Sequence, residues 1–100
     1  MILKIKFYNN EYGLLCGKNG LLYKTTDGGN SWEDISQSQF TQSSIPEILM
    51  INKNQYFIFT KNKNTLITEI YFTNDGGASW NLDYYVDDAN KDLRTTVILS

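Results

Sequence analysis

Short apolar runs alternate with polar turns along the whole chain. Residues 2–7 set Ile, Leu and Phe against lysines at positions 4 and 6, which predicts a strand. Asn9, Asn10 and Glu11 break that run as a turn. Residues 12–16 form a second apolar run, and Lys18-Asn19-Gly20 carries the Asn-Gly hairpin signal. Strands are expected next at 21–26 and 32–35. Residues 36–44 are rich in Ser and Gln and read as a connection, with Pro46 ahead of the next group. That group is expected at 47–51, 55–60, 66–73 and 80–86. A second connection spans 87–92, and a further strand is expected at 95–99. No segment holds a helical period over three turns.

The order repeats. Thr25-Thr26-Asp27-Gly28-Gly29-Asn30-Ser31-Trp32 and Thr73-Asn74-Asp75-Gly76-Gly77-Ala78-Ser79-Trp80 share one pattern, 48 residues apart. Matches at such a period indicate a repeat architecture. Upstream of the motif an offset of 44 superposes residues 5–12 on residues 49–56. Four extra residues at 65–68 would account for the difference. An even insertion adds equally to both arms of a hairpin and preserves side-chain phase. At offset 48, Val97-Ile98-Leu99 repeats Leu49-Met50-Ile51. Four short strands per repeat is the layout of a propeller blade. The expectation is an all-β fold: two four-stranded antiparallel β-propeller blades and the first strand of a third, a partial propeller. The units divide as 1–46, 47–94 and 95–100.

The motif residues suit a tight reversal. Asp27 and Asp75 can accept hydrogen bonds from turn N–H groups. Gly29 and Gly77 allow a backbone conformation that a side chain would penalise. Ser31 and Ser79 can tie their hydroxyls across the loop, and Trp32 and Trp80 can fold back over the hairpin into the core. Thr25 and Thr73 open each motif. The role expected of all ten residues is structural.

Both motifs resemble the Asp-box, or BNR repeat, of β-propellers such as sialidases, sortilin-type receptors and many secreted glycosidases. Residues 13–32 run Gly13, Gly17 and Gly20 before Thr25-Thr26-Asp27-Gly28-Gly29 and Trp32. This is similar to the repeat of photosystem II assembly-factor-like propellers. The second copy keeps the box but has Phe57, Lys61 and Asn64 where the glycines would align. The resemblance implies a propeller scaffold and does not by itself imply a photosynthetic role. Asp-box relatives are often extracytoplasmic. Residues 1–4 lack the long apolar run of a signal peptide, and no stretch is long enough to span a membrane.

Resemblance to sialidases implies a site of three arginines, a Tyr–Glu pair and an acidic Asp. This chain has one arginine, Arg94, although Glu69 and Tyr71 share a strand face. Histidine is absent and Cys16 is alone, so neither a histidine-assisted nucleophile nor a disulfide can be assembled. Cys16 reads as a small core residue. Net charge is −2 and shows no electrostatic footprint for nucleic acid. Lys61 and Lys63 read as solvated lysines at a hairpin tip. Asp88-Ala89-Asn90-Lys91-Asp92 alternates oxygen side chains as a calcium loop begins, but lacks the glycine and closing glutamate. Neither a cofactor nor a bound metal is expected.

The function expected is a non-catalytic scaffold or protein-interaction module. The alternative is a piece or subunit of an Asp-box glycoside hydrolase. The expected partner is a protein, or another copy associating through blade edges. Carbohydrate is a further candidate, with Trp80, Tyr84 and Tyr85 as the contacting surface.

Overall fold

Among the described residues eight strands form in chain order: β1 (Ile2–Phe7), β2 (Gly13–Gly17), β3 (Leu22–Thr25), β4 (Glu33–Asp34), β5 (Ser43–Met50), β6 (Tyr56–Asn62), β7 (Ile67–Thr73) and β8 (Asn81–Asp87). The computed structural model describes residues 1–87, with side chains described through Tyr84. The expected connection beyond Asp87, the candidate calcium loop, Arg94 and the strand at 95–99 lie outside the described residues, as does the side chain of Tyr85. Strands β1 to β4 make one antiparallel meander and β5 to β8 another. The chain is all-β, and the two sheets are the two expected blades. Among the described residues no helix is long and apolar enough to cross a membrane.

The core lies between the sheets. Leu14, Cys16 and Leu22 face Ile48, Tyr56, Ile58 and Trp80, with Phe40 and Ile45 from the linking segment completing the cluster. Strand β2 is buried along its whole length, whereas β6 alternates buried with half-buried positions over residues 56–60. Burial pushes the Cys16 thiol up to about 12, with Glu47 adding to the effect, so Cys16 is a core residue. At the tip between β2 and β3, Asn19 and Gly20 both take positive φ (58° and 73°), the reversal expected of Asn-Gly.

Strand β5 begins at Ser43, ahead of the expected start at residue 47, and contains Pro46. The ladder shifts register between Ser44 and Glu47. A bulge at that point frees Pro46 from donating an N–H, which is how proline is tolerated inside a strand. Part of the expected connection is therefore strand, and Ser38–Phe40 is a single 3-10 turn. Strand β4 is shorter than expected and excludes Trp32 and Ile35.

The upstream offset is also corrected. Phe7 pairs with Gly13 as Met50 pairs with Tyr56. Asn9 Oδ1 accepts from the N–H groups of Glu11 and Tyr12, and Asn52 Oδ1 accepts from those of Asn54 and Gln55. Equivalent positions thus run Asn9 to Asn52, one residue short of the sequence superposition. The insertion in the second copy is odd in number. Leu66, at φ 63°, takes up the unpaired residue at the hairpin tip, so both arms keep their faces.

Candidate functional site

Each motif closes on itself through one carboxylate. Thr25 Oγ1 donates to Asp27 Oδ1 (2.8 Å), which also accepts the Ser31 N–H (3.0 Å), while Ser31 Oγ donates to Asp27 Oδ2 (2.6 Å). The Thr25 hydroxyl oxygen in turn accepts the Gly29 N–H (2.9 Å). The second copy repeats the set. Thr73 donates to Asp75 (2.6 Å), Ser79 donates through N–H and hydroxyl (3.0 and 2.6 Å), and Gly77 donates to Thr73 (3.0 Å). Gly29 and Gly77 share φ of 94° and 95°, so each needs glycine for the same reason. The Ser31 hydroxyl and N–H, followed by the Thr25 hydroxyl, hold Asp27 down at about 2. Asp75 is lowered in the same way, first by the Ser79 hydroxyl and then by Thr73.

Each motif is also tied to the first turn of its own sheet. The Gly28 N–H donates to Glu11 O (3.0 Å), and the Gly76 N–H donates to Asn54 O (2.9 Å). The two copies differ in their neighbours. Trp80 is only 8 % exposed and meets Phe40 edge-on, with Tyr56 at its side. Lys24 of the first sheet donates from Nζ to Gly76 O (3.0 Å). A Cβ on Gly77 would lie 2.8 Å from Ile35 Cδ1. The second motif is therefore sealed by the first sheet. Trp32 is half-buried and packs edge-on against Phe7. A Cβ on Gly29 would meet only Phe7 and Trp32, at 3.7 Å.

The candidate binding surface is not assembled as one patch. Trp80 lies in the core, whereas Tyr84 is 46 % exposed on β8. Glu69 and Tyr71 do meet, the phenol donating to Glu69 Oε1 at 3.0 Å. Burial first, then that carboxylate, pushes Tyr71 up to about 12, the opposite of an activated nucleophile. Among the described residues no three His, Cys, Asp or Glu side chains converge as metal ligands. Lys24, Ile35 and Phe40 were not signalled by the sequence. Their roles depend on how one sheet seats on the other. Asn9 and Asn52 could have been found, because Asn opening two equivalent turns is an Asx-turn signature.

The family model described as Photosynthesis system II assembly factor YCF48 matches residues 1–82. A solved structure described as YCF48 bound to D1 peptide superposes with a TM-score of 0.64 at 25 % identity. The alignment covers 83 % of this chain and 25 % of that one, so the chain spans about a quarter of that structure's length. No curated protein matches the chain. Neither match describes a glycoside hydrolase, so that alternative has no support.

The junction separates the two tryptophans energetically. Trp80→Ala is expected to cost about 3–5 kcal/mol, as for a large core aromatic. Trp32→Ala is expected to cost about 1–2 kcal/mol in this chain, since part of its surface is already in water. Urea unfolding of both variants measures the difference, and equal losses would refute the asymmetry.

The carboxylate ties also give a pH dependence. Asp27 binds its proton less readily when folded (about 2) than an unfolded Asp does, near ~3.9. Its contribution is therefore complete above pH ~4 and disappears as pH falls toward about 2. In Asp27→Asn that part of the acid loss should vanish, leaving a shallower decline in stability across the same window. A parallel decline in both proteins, followed by circular dichroism, would contradict the assignment.

Proposed function

The chain belongs to the Photosynthesis system II assembly factor YCF48 family, and on that premise we propose that it is a non-catalytic protein-interaction module that binds a polypeptide segment of a partner. One observation carries the reading: a solved relative, similar over most of this chain, has a peptide bound. The chemistry of the chain supports it. The thiol is buried and held as a thiol, the Glu69–Tyr71 pair is locked in a hydrogen bond, and both motif carboxylates are consumed in closing turns. A scaffold of this kind acts by presenting rigid loops rather than by transferring groups.

The test is equilibrium binding of the full chain to an array of peptides that includes segments of D1, with scrambled controls. Sequence-dependent capture is the expected result. The reading fails if no peptide exceeds its scrambled control, and fails in kind if a fluorogenic glycoside is turned over above the blank.

Self-association belongs to the same proposal, through the outer face of the first sheet. Ile2, Ile5 and Phe7 are 52 %, 52 % and 45 % exposed there, beside the half-buried Trp32. The occupant proposed is a sheet of a second copy. The equivalent face of the second sheet is already covered by its neighbour inside this chain, and contiguous apolar patches of this kind mark contact sites. Light scattering should show mass rising with concentration, with Ile5→Lys suppressing the rise. A mass fixed at that of one chain over the whole range would exclude this contact.

A further inference from the structure

At the end of the sheet junction opposite the two motifs lies a cavity of about 220 Å³ lined by Lys18, Asn19, Ser43, Ser44 and Lys63. Three segments build it. Lys18 and Asn19 come from the β2–β3 tip, the serines from the start of β5, and Lys63 from the β6–β7 hairpin. Backbone bonds fix both lysine positions: the Lys18 N–H donates to Met1 O (3.1 Å), and the Lys63 N–H donates to Gln42 O (2.9 Å). The first tip is held down over Phe40, where a Cβ on Gly20 would lie 2.5 Å from the Phe40 carbonyl oxygen.

The polar groups of this cavity are not spent within the chain. Among the described residues the ion pairs are Lys4 and Lys6 with Glu47, and neither Lys18 nor Lys63 has a carboxylate in reach. Ser43 is only 5 % exposed and lines the cavity wall. Two cations beside one cavity repel, and an anion between them turns that repulsion into two charge-assisted hydrogen bonds. The chain as a whole is acidic, at net charge −2, so this positive site is local rather than part of a general basic surface.

We propose that this cavity is a carboxylate-binding site that takes an acidic side chain of a bound polypeptide. The proposal rests on the protein-interaction reading above. Lysine ammonium groups are point charges that suit a single carboxylate without the planar fork of arginine. The serine hydroxyls and the Asn19 amide supply further donors.

The test uses the full chain, with amide spectra recorded during titration of acetyl-Gly-Glu-Gly-amide, its Gln counterpart and inorganic phosphate. The Glu peptide should move the signals of Lys18, Asn19, Ser43, Ser44 and Lys63 saturably, and the Gln peptide should not. Lys18→Gln and Lys63→Gln should each weaken the Glu peptide by about tenfold, the scale of one lost charge-assisted bond. Both lysines are exposed, so unchanged spectra elsewhere will show that the fold is kept. Ser43→Ala should weaken binding several-fold. Equal response to Glu and Gln overturns the proposal, as does a response to phosphate alone, which would mark a general anion site. The two readings can fail separately. Array peptides bound equally well by Lys63→Gln and the parent chain would retain the module and remove this site. A Glu probe bound by a chain that captures no array peptide would do the reverse.

Discussion

Trp80 and Tyr56, pressed against Leu14, Cys16 and Leu22, are the contact on which the described structure depends. A four-stranded sheet has two faces and cannot bury either one alone, so each sheet supplies the other's interior. The details of the second motif follow from that contact. Gly77 leaves the room that Ile35 occupies, and Lys24 reaches across to a carbonyl that the turn itself leaves open. The turn needs Thr, Asp and Ser to hold its own shape, but it needs the neighbouring sheet to bury its tryptophan.

The two motifs therefore form one turn in two environments. Their internal hydrogen bonds agree within about 0.2 Å, and their glycine angles are almost the same. Apart from the Asn30 amide bond to Asp27 O, which Ala78 cannot repeat, the differences lie in the surroundings: Ile35 and Phe40 at one, Phe7 and open surface at the other. Local chemistry sets the turn, and sheet stacking sets how much of its tryptophan is withdrawn from water. This division is expected of repeat proteins, where the energy of a unit separates into an intrinsic part and an interface part.

The same division decides what could be read from the sequence. The motif, the Asn-Gly tip and the period-two runs are local signals, and the all-β fold and the count of strands in the described sheets followed from them. The upstream offset was misjudged because aligning Tyr12 with Tyr56 looks better than aligning Asn9 with Asn52. Side-chain identity rewarded the first choice, while hydrogen-bond geometry required the second. An odd insertion is hidden in sequence because one residue of positive φ, Leu66, absorbs it. Pro46 stood ahead of the expected strand, and the register shift beside it lets the strand take it in. The pairing of Lys18 with Lys63 around a cavity was beyond reach. They are far apart in sequence and meet only through the stacking of two sheets.

The junction has two ends, and their hydrogen-bond accounts differ. At the motif end the Asp27 and Asp75 carboxylates, the threonine and serine hydroxyls and the turn N–H groups are engaged with one another, and Lys24 takes a carbonyl left over. Such a set resists change because any new ligand must first break bonds of equal quality. At the hairpin-tip end two exposed ammonium groups with no carboxylate in reach among the described residues stand around a cavity. A ligand there replaces water alone and meets backbone already fixed by the strands beneath it. Stability and recognition thus separate along the strand axis, because a group that has already satisfied its neighbour has little left to offer a partner.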